Sequence, residues 1–293
     1  MNLGIIFALL TILLYGSWAV PTKTLKINPK VQAFWLTLGH LIVSAIIFIL
    51  LSNMMPSLNN SIAPLIAGAL WAIGITLGYV GIKHLGITRA IGIWVPVNIL
   101  VGALWGLIFF GEAKILGTEK LLLSLLGIGF LITAAITVIS SIKTKEKMVG
   151  SAFLGILASL SVGLFHGSVF VPLRASSLPF AATFLPWGIG MAITTSLIVL
   201  SQRLKLNYGL LSNSRMLSSG LILGVGNYLA LLTIKYLGYT NGFALTQLSI
   251  VVNTLWGAVV FKEITSAKGK ILIATGVAVA LVGAYILSTV RIQ

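Results

Sequence analysis

The sequence predicts an all-α integral membrane protein with ten transmembrane helices, arranged as two inverted five-helix repeats. Three observations predict it: an apolar composition, uncharged windows of membrane-spanning length, and similar motifs in the two halves of the chain. Hydrophobic residues make up 58% of the 293 residues, charged residues make up only 8%, and the mean hydropathy is +1.10. A soluble domain would need a more polar surface than this composition provides, so the chain is expected to lie in lipid.

Nine windows without a charged residue follow one another along the chain. A helix that rises about 1.5 Å per residue needs roughly 20 apolar residues to cross about 30 Å of hydrocarbon, so each window fits a span. The windows are 1–22, 31–82, 90–111, 121–142, 148–173, 175–202, 216–234, 236–261 and 271–290. The longest is interrupted by the polar stretch SNMMPSLNNS and predicts two spans. Barrel strands would alternate apolar and polar residues, which these windows do not, so ten helices are predicted.

The two halves of the chain carry similar motifs in the same order. At an offset of about 151 residues, YGSWAVPTK at 15–23 matches HGSVFVPLR at 166–174. At nearly the same offset, IKHLGIT at 82–88 matches IKYLGYT at 234–240. Several matches at one offset indicate an internal repeat, because similar composition alone would not keep their order.

The predicted repeats occupy residues 1–147 and 148–293 and together form one transport domain. Five spans are an odd number, so the second repeat enters the membrane from the opposite side, as is usual in secondary transporters. Loops on one side hold 14 of the Lys and Arg residues and the other side holds 5. The positive-inside rule then places both termini outside the cytoplasm. Topology thus explains the formal charge of +15, and no nucleic-acid partner is expected.

The sequence lacks the motifs of an enzyme. It contains no cysteine, no phosphate-binding loop, no Ser/His/Asp arrangement and no metal-ligand cluster, so neither a cofactor nor a bound metal is expected. Nothing in the chain could drive transport by hydrolysis. Any accumulation of a solute must therefore draw on a gradient.

Uncharged polar and aromatic side chains within the spans form the predicted substrate site. Exposing them to lipid would be costly, and amides, hydroxyls and indole rings suit a sugar, which has hydroxyl groups around an apolar ring face. Alternatively, the polar groups bond between helices and the aromatic rings lie at the membrane interfaces. The candidates are Trp18, Trp94, Asn98, Asn227, Tyr228, Thr246, Gln247 and Asn253.

Matched bends end the first and sixth spans. Proline lacks an N–H group and therefore ends or kinks a helix, and in both places it follows a Gly-Ser pair. This pairing predicts two flexible hinges that gate access to the site from opposite sides, while an ordinary helix terminus is the alternative. The hinge residues are Gly16, Ser17, Pro21, Gly167, Ser168 and Pro172.

Ionisable residues are scarce within the spans. The four acids lie in loops or at helix ends, which argues against a carrier of cationic drugs, and Glu112 and Glu263 are expected to pair with nearby lysines. His166 adjoins the second bend and is the candidate for proton coupling, with packing as the alternative. Lys83 and Lys235 are expected to extend to the interface, although in an anion carrier they would bind phosphate.

Two segments resemble the repeat endings of the drug/metabolite transporter superfamily. They are FFGEAKILG with the following LLGIGFLITAAITVIS, and FKEITSAKGKILIATGVAVALVGAYIL. Within that superfamily, YGSWAV, ALWAIGITLGYVGIKHLGIT and GVGNYLALLTIKYLG are similar to segments of the glucose/ribose porter family of sugar uptake proteins. The resemblance covers nearly the whole chain. It implies an EamA-like fold and proton-coupled uptake of a sugar.

The sequence therefore predicts a secondary carrier of the plasma membrane, with the lipid bilayer and a monosaccharide as its partners. A metabolite exporter of the same superfamily is the alternative within carriers. A membrane scaffold is a second class, and a dry hydrogen bond between Asn98 and Gln247 would favour it. No residue pattern specifies an oligomeric state.

Overall fold

The computed structural model describes residues 3–52, 56–85, 87–140, 151–176, 178–256, 260 and 266–290. Within these ranges the regular structure is helical and contains no β-strand, so the all-α prediction is confirmed. The helices are α1 (Leu3–Ser17), α2 (Pro29–Leu51), α3 (Leu58–Leu85), α4 (Ile87–Leu104), α5 (Glu112–Ser140), α6 (Ala152–Ser168), α7 (Phe170–Ala175), α8 (Phe180–Ser201), α9 (Leu210–Leu237), α10 (Tyr239–Thr246), α11 (Ser249–Leu255) and α12 (Ala267–Thr289).

Among the described residues, eight helical segments are long and apolar enough to cross a membrane, which confirms an integral membrane protein. They contain α1, α2, α3, α5, α6, α8, α9 and α12. The other two expected spans form shorter pieces in the described part of the chain. The fourth consists of α4 and a π-helical turn at Trp105–Phe109, and the ninth is divided between α10 and α11. The ninth is interrupted where the Thr246 hydroxyl bonds to the Phe243 carbonyl, and a turn follows at 247–248.

Helices of the first half pack mainly against helices of the second half. α1 packs on α9 and α11, and in the corresponding way α6 packs on α3 and α4. α2 packs on α9 as α8 packs on α3. We call α1, α2, α9, α10 and α11 the α1 group, and α3, α4, α6, α7 and α8 the α6 group. The two groups meet where α2 contacts α8 and where α10 contacts α4, while α5 and α12 pack on each other.

Glycines allow the closest of these contacts. An added Cβ atom at Gly220 of α9 would overlap the carbonyl oxygen of Leu36 on α2. The corresponding contact in the α6 group joins Gly190 of α8 to the carbonyl oxygen of Leu65 on α3. Lipid gives helices little hydrophobic drive to associate, so such close van der Waals packing is a main source of their cohesion.

We predict that Gly220→Ala destabilises the protein by about 1–3 kcal/mol, because the new methyl group meets backbone that cannot move aside without disturbing α2. Thermal unfolding in detergent measures the effect. Gly129→Ala is the matched control, since an added Cβ atom there meets nothing within 4 Å. Equal unfolding midpoints for the two variants would contradict the packing account.

Candidate functional site

Both predicted hinges are anchored by a tryptophan from the other half of the chain. The indole Nε1 of Trp105 donates to the Ser168 hydroxyl at 2.8 Å, and that of Trp256 donates to the Ser17 hydroxyl at 2.9 Å. α1 ends at Ser17 and α6 ends at Ser168, so each bond holds the chain where a helix stops. The sequence did not predict these tryptophan partners.

The glycines before these serines let the helices approach closely. A Cβ atom at Gly16 would overlap Val252 of α11, and one at Gly167 would lie 2.7 Å from the Cβ atom of Val101 on α4. The prolines follow the breaks. Pro21 lies in a 3-10 turn and its carbonyl accepts from Arg215 Nε at 2.7 Å, while Pro172 lies within α7. Their gating role stays a prediction.

Three of the predicted substrate residues form a hydrogen-bonded chain between the two helix groups. Asn98 Nδ2 of α4 donates to Gln247 Oε1 at 2.9 Å, and Gln247 Nε2 donates to the Thr246 hydroxyl at 3.1 Å. All three side chains are buried. The direct bond between Asn98 and Gln247 is the arrangement that favours the scaffold alternative.

Asn227 and Tyr228 lie next to each other on α9 with different surroundings. The buried Asn227 accepts a hydrogen bond from the hydroxyl of Tyr15 on α1. Tyr228 is only partly buried, and its ring packs edge-on against Phe184 with the ring centroids 5.3 Å apart. Asn227 is thus held within the α1 group, whereas Tyr228 reaches across to the other group.

The remaining predicted substrate residues are dispersed. Trp18 packs against the larger hydrophobic core, and the Trp94 ring lies over Gly78, 3.2 Å from the position of an added Cβ atom. Asn253 is partly buried on α11. These three do not join the hydrogen-bonded chain of Asn98 and Gln247, so the structure brings together only part of the predicted set.

A cluster of aromatic rings lies where the two groups meet. The His40 ring of α2 lies 5.0 Å from Phe184 and 5.1 Å from Trp187, both on α8. Trp71 of α3 stacks on His166 with centroids 5.4 Å apart, and His166 Nε2 donates to the Trp71 carbonyl at 3.2 Å. Trp187 and Phe184 were missed from the sequence, although Trp187 lies well inside its span and not at an interface.

Nine buried side-chain polar atoms have no hydrogen-bond partner among the described residues. Four of them belong to amide, imidazole or indole groups well inside α2, α4, α8 and α9, namely His40 Nε2, Asn98 Oδ1, Trp187 Nε1 and Asn227 Nδ2. The other five are His84 Nδ1, Ser124 Oγ, Ser219 Oγ, Thr240 Oγ1 and Asn241 Oδ1. The first four come from four different helices, two in each half of the chain. Buried polar groups are nearly always paired, so these unpaired atoms call for an explanation.

Glu112 lies in a setting that the sequence analysis did not predict. Its side chain is fully buried, and its Oε1 atom lies 2.7 Å from Arg174 Nη1. The expected partner was a lysine, and this expectation was wrong because α7 brings Arg174 over the end of the fourth span. Glu263, which corresponds to Glu112 in the repeat, lies outside the described residues.

Comparisons with known proteins agree over the full length of the chain. The family model described as "Sugar transport protein" matches residues 6–290. Glucose uptake protein GlcU of Bacillus subtilis is 25% identical over 99% of both chains. A protein of Enterococcus faecalis, named provisionally as a sugar uptake protein, is 24% identical over 99% of this chain and 100% of its own. A solved crystal structure with 14% identity superposes with a TM-score of 0.72 over 98% of this chain and 97% of that one, so the two share a fold.

We predict an interaction free energy of about 1 kcal/mol between Asn98 and Gln247. Each alanine substitution alone would leave the other side chain buried without its hydrogen-bond partner. Unfolding of Asn98→Ala, Gln247→Ala and the double variant in detergent measures this coupling. Strictly additive effects would show that the bond between them contributes nothing to stability.

Proposed function

The chain belongs to the family of sugar transport proteins and is a transporter rather than an enzyme, and from this premise we propose that it carries a monosaccharide of the glucose or ribose type across the cell membrane. The names of its relatives point the same way. They include a glucose uptake protein and one provisionally named for ribose uptake.

The observation that carries this proposal is that the buried atoms His40 Nε2, Asn98 Oδ1, Trp187 Nε1 and Asn227 Nδ2 have no hydrogen-bond partner among the described residues. A neutral polyhydroxylated solute can both donate to and accept from such groups, and the aromatic rings around His40 offer apolar surfaces for a sugar ring. A scaffold gains nothing from leaving buried polar atoms without partners, since each one costs free energy. The site is accordingly proposed to contain His40, Asn98, Trp187 and Asn227, with Trp18, Trp94, Tyr228, Thr246, Gln247 and Asn253 completing it.

The carrier is proposed to consist of ten spans in two inverted repeats, residues 1–147 and 148–293. Three correspondences support this. The motifs repeat at an offset of about 151 residues, the helix contacts of α1 correspond to those of α6, and each Gly-Ser pair is bonded by the tryptophan of the other half. The positive-inside count supports placing both termini outside the cytoplasm.

Alternating access would arise from relative movement of the α1 group and the α6 group. In inverted repeats the helices at one membrane face correspond to the helices at the other face, so each face can open while the other is closed. In this proposal the bends at Gly16, Ser17 and Pro21 and at Gly167, Ser168 and Pro172 are the hinges. The hydrogen bonds from Trp105 to Ser168 and from Trp256 to Ser17 would keep each hinge attached to its own helix group while the chain beyond the hinge moves.

Coupling to protons is proposed to run through His166. Imidazole can bind a proton near neutral pH, and His166 lies directly before the second hinge, stacked on Trp71. A proton on this ring would add a charge at the hinge and thereby change the balance between the two open states. A sugar gradient alone would then drive flux, and a proton gradient would drive accumulation.

Two observations favour other functions. The bond between Asn98 and Gln247 satisfies part of the predicted site without a ligand, as a scaffold would require. Lys235 lines a cavity together with Arg174, which suits an anionic substrate such as a sugar phosphate. A metabolite exporter of the same architecture would move neither glucose nor ribose inward.

Uptake into proteoliposomes tests the proposal. We expect the purified protein to take up at least one labelled monosaccharide from a panel that also contains a sugar phosphate, an amino acid and an amine. Flux of the charged solutes without any sugar flux would overturn the sugar assignment. The absence of flux for every solute would support the scaffold alternative.

Within the same assay, Trp187→Phe is expected to raise the KM for the transported sugar about tenfold, because it removes one hydrogen-bond donor and keeps an aromatic ring. Trp35→Phe is the matched control. The Trp35 indole donates to the Leu206 carbonyl at 2.9 Å, away from the proposed site, so its KM should not change.

We predict that His166→Gln abolishes sugar accumulation driven by an imposed proton gradient while it preserves downhill uptake. Glutamine can still donate to the Trp71 carbonyl, but it does not bind a proton near neutral pH. Parallel measurements of accumulation and counterflow in proteoliposomes separate these two properties. Accumulation equal to that of the unsubstituted protein would show that His166 takes no part in coupling.

A further inference from the structure

We propose that Glu112 is the gate residue at one end of the carrier, and that it closes this end by holding the N-terminus of α10. We call this end the gate face; it is the membrane face where α6 and α9 end and α10 begins. The inference rests on the proposed transport function, since a gate has a role only in a carrier that opens and closes.

The Glu112 carboxylate binds groups from both helix groups. It accepts hydrogen bonds from the backbone N–H groups of Tyr239 at 2.6 Å and Thr240 at 2.9 Å, which belong to the α1 group. It also accepts from the guanidinium of Arg174 on α7, in the α6 group, at 2.7 Å. The side chain of Glu112 is fully buried. One carboxylate therefore joins the two groups where they would have to separate.

The start of α10 is built to receive a carboxylate. The first N–H groups of a helix have no partner within the helix and carry a partial positive charge. The chain turns into α10 at Gly238, whose φ of 81° is a left-handed conformation that favours glycine. Gly106 leaves the space, because a Cβ atom there would overlap the Thr240 hydroxyl and lie 2.9 Å from Glu112 Oε2.

Further contacts join the α1 group to the α6 group near Glu112. The Tyr239 hydroxyl donates to the Gly167 carbonyl at the hinge at 3.1 Å, and its ring lies 5.1 Å from that of Phe110. The Arg174 guanidinium lies 4.4 Å from the centroid of the same Phe110 ring. The gate contacts thus connect directly to the predicted hinge at Gly167.

A cavity lies directly beside these contacts. It has a volume of about 260 Å³ and is lined by Arg174, Phe180, Ile234, Lys235 and Gly238. Arg174 and Gly238 take part in the gate and also face this cavity. Arg174 and Gly238 therefore connect the Glu112 contacts to this cavity.

Opening this gate would not leave Glu112 without a charged partner. Arg174 lies on α7 of the α6 group. Glu112 begins α5, which belongs to neither group, and the π-helical turn joins it to α4 of the α6 group. If the α1 group moves away, the carboxylate keeps its guanidinium and loses only the two N–H groups of α10, which water can then bind. Taking the guanidinium away from the fully buried carboxylate would be far more costly, so this arrangement permits repeated opening.

Cysteine labelling tests the gate directly, because the chain contains no native cysteine. An Ala244→Cys reporter lies on α10 behind the gate and is fully buried. An Ala33→Cys reporter lies near the start of α2, at the opposite face in the proposed topology, and is also fully buried. The rate at which a polar maleimide modifies each purified protein in detergent measures the accessibility of each face.

We expect Glu112→Gln to increase the labelling rate of the Ala244→Cys reporter about tenfold, by raising the population of the open state, without increasing that of the Ala33→Cys reporter. Glutamine keeps the shape of the side chain but loses the charge that holds α10. Glu119→Gln is the matched control, since Glu119 is exposed and lies beyond the kink that Gly117 makes in α5, and it should leave both rates unchanged.

Two results would overturn the proposal. Glu112→Gln could label at the same rate as Glu119→Gln, or both reporters could label faster together, which would indicate general loosening of the bundle. These measurements need no sugar, so they stand even if the uptake panel refutes sugar transport.

In proteoliposomes that do transport, Glu112→Gln should lower Vmax about tenfold and leave KM nearly unchanged, because a gate that stays open blocks turnover after binding.

Discussion

Close contact between helices from opposite halves of the chain is the constraint on which the structure depends. In a bilayer, apolar side chains are as well solvated by lipid as by each other, so helices associate through close van der Waals packing and a few polar contacts. Gly220 and Gly190 bring backbones together at the two corresponding crossings, and Gly16 and Gly167 allow close approach within the two predicted hinges. The two helix groups and the contacts at the predicted hinges depend on these close approaches.

The polar groups of the bundle fall into satisfied and unsatisfied sets with different roles. The Trp105 and Trp256 indoles, the Asn98 to Gln247 bond and the Glu112 contacts are complete, and they hold helices in position. Four of the buried polar atoms without partners among the described residues, on His40, Asn98, Trp187 and Asn227, lie well inside α2, α4, α8 and α9, where a neutral solute would have to pass. A carrier needs both sets, because its frame must be rigid while its central groups exchange protein partners for those of the solute.

The sequence was informative wherever a property depends on composition or on repetition. Apolar windows predicted the membrane helices, and the resemblance of YGSWAV and related segments predicted the family. The sequence was less informative about contacts. A repeat offset aligns Ser17 with Ser168 but does not reveal that Trp256 and Trp105 bind them, since those contacts depend on how the halves cross. Trp187 was missed because tryptophan is common at interfaces, and Glu112 because its burial arises from α7 and α10 folding over it.

The composition of the α1 group also constrains the order in which the molecule can assemble. α1 is synthesised well before the helices that it packs against, α9 and α11, which begin only at Leu210 and Ser249. During synthesis the polar and glycine-lined side of α1 must therefore remain in lipid or against temporary neighbours. Contacts between such distant parts of a chain slow folding, so the bundle can reach its final packing only after nearly all of its spans have entered the bilayer.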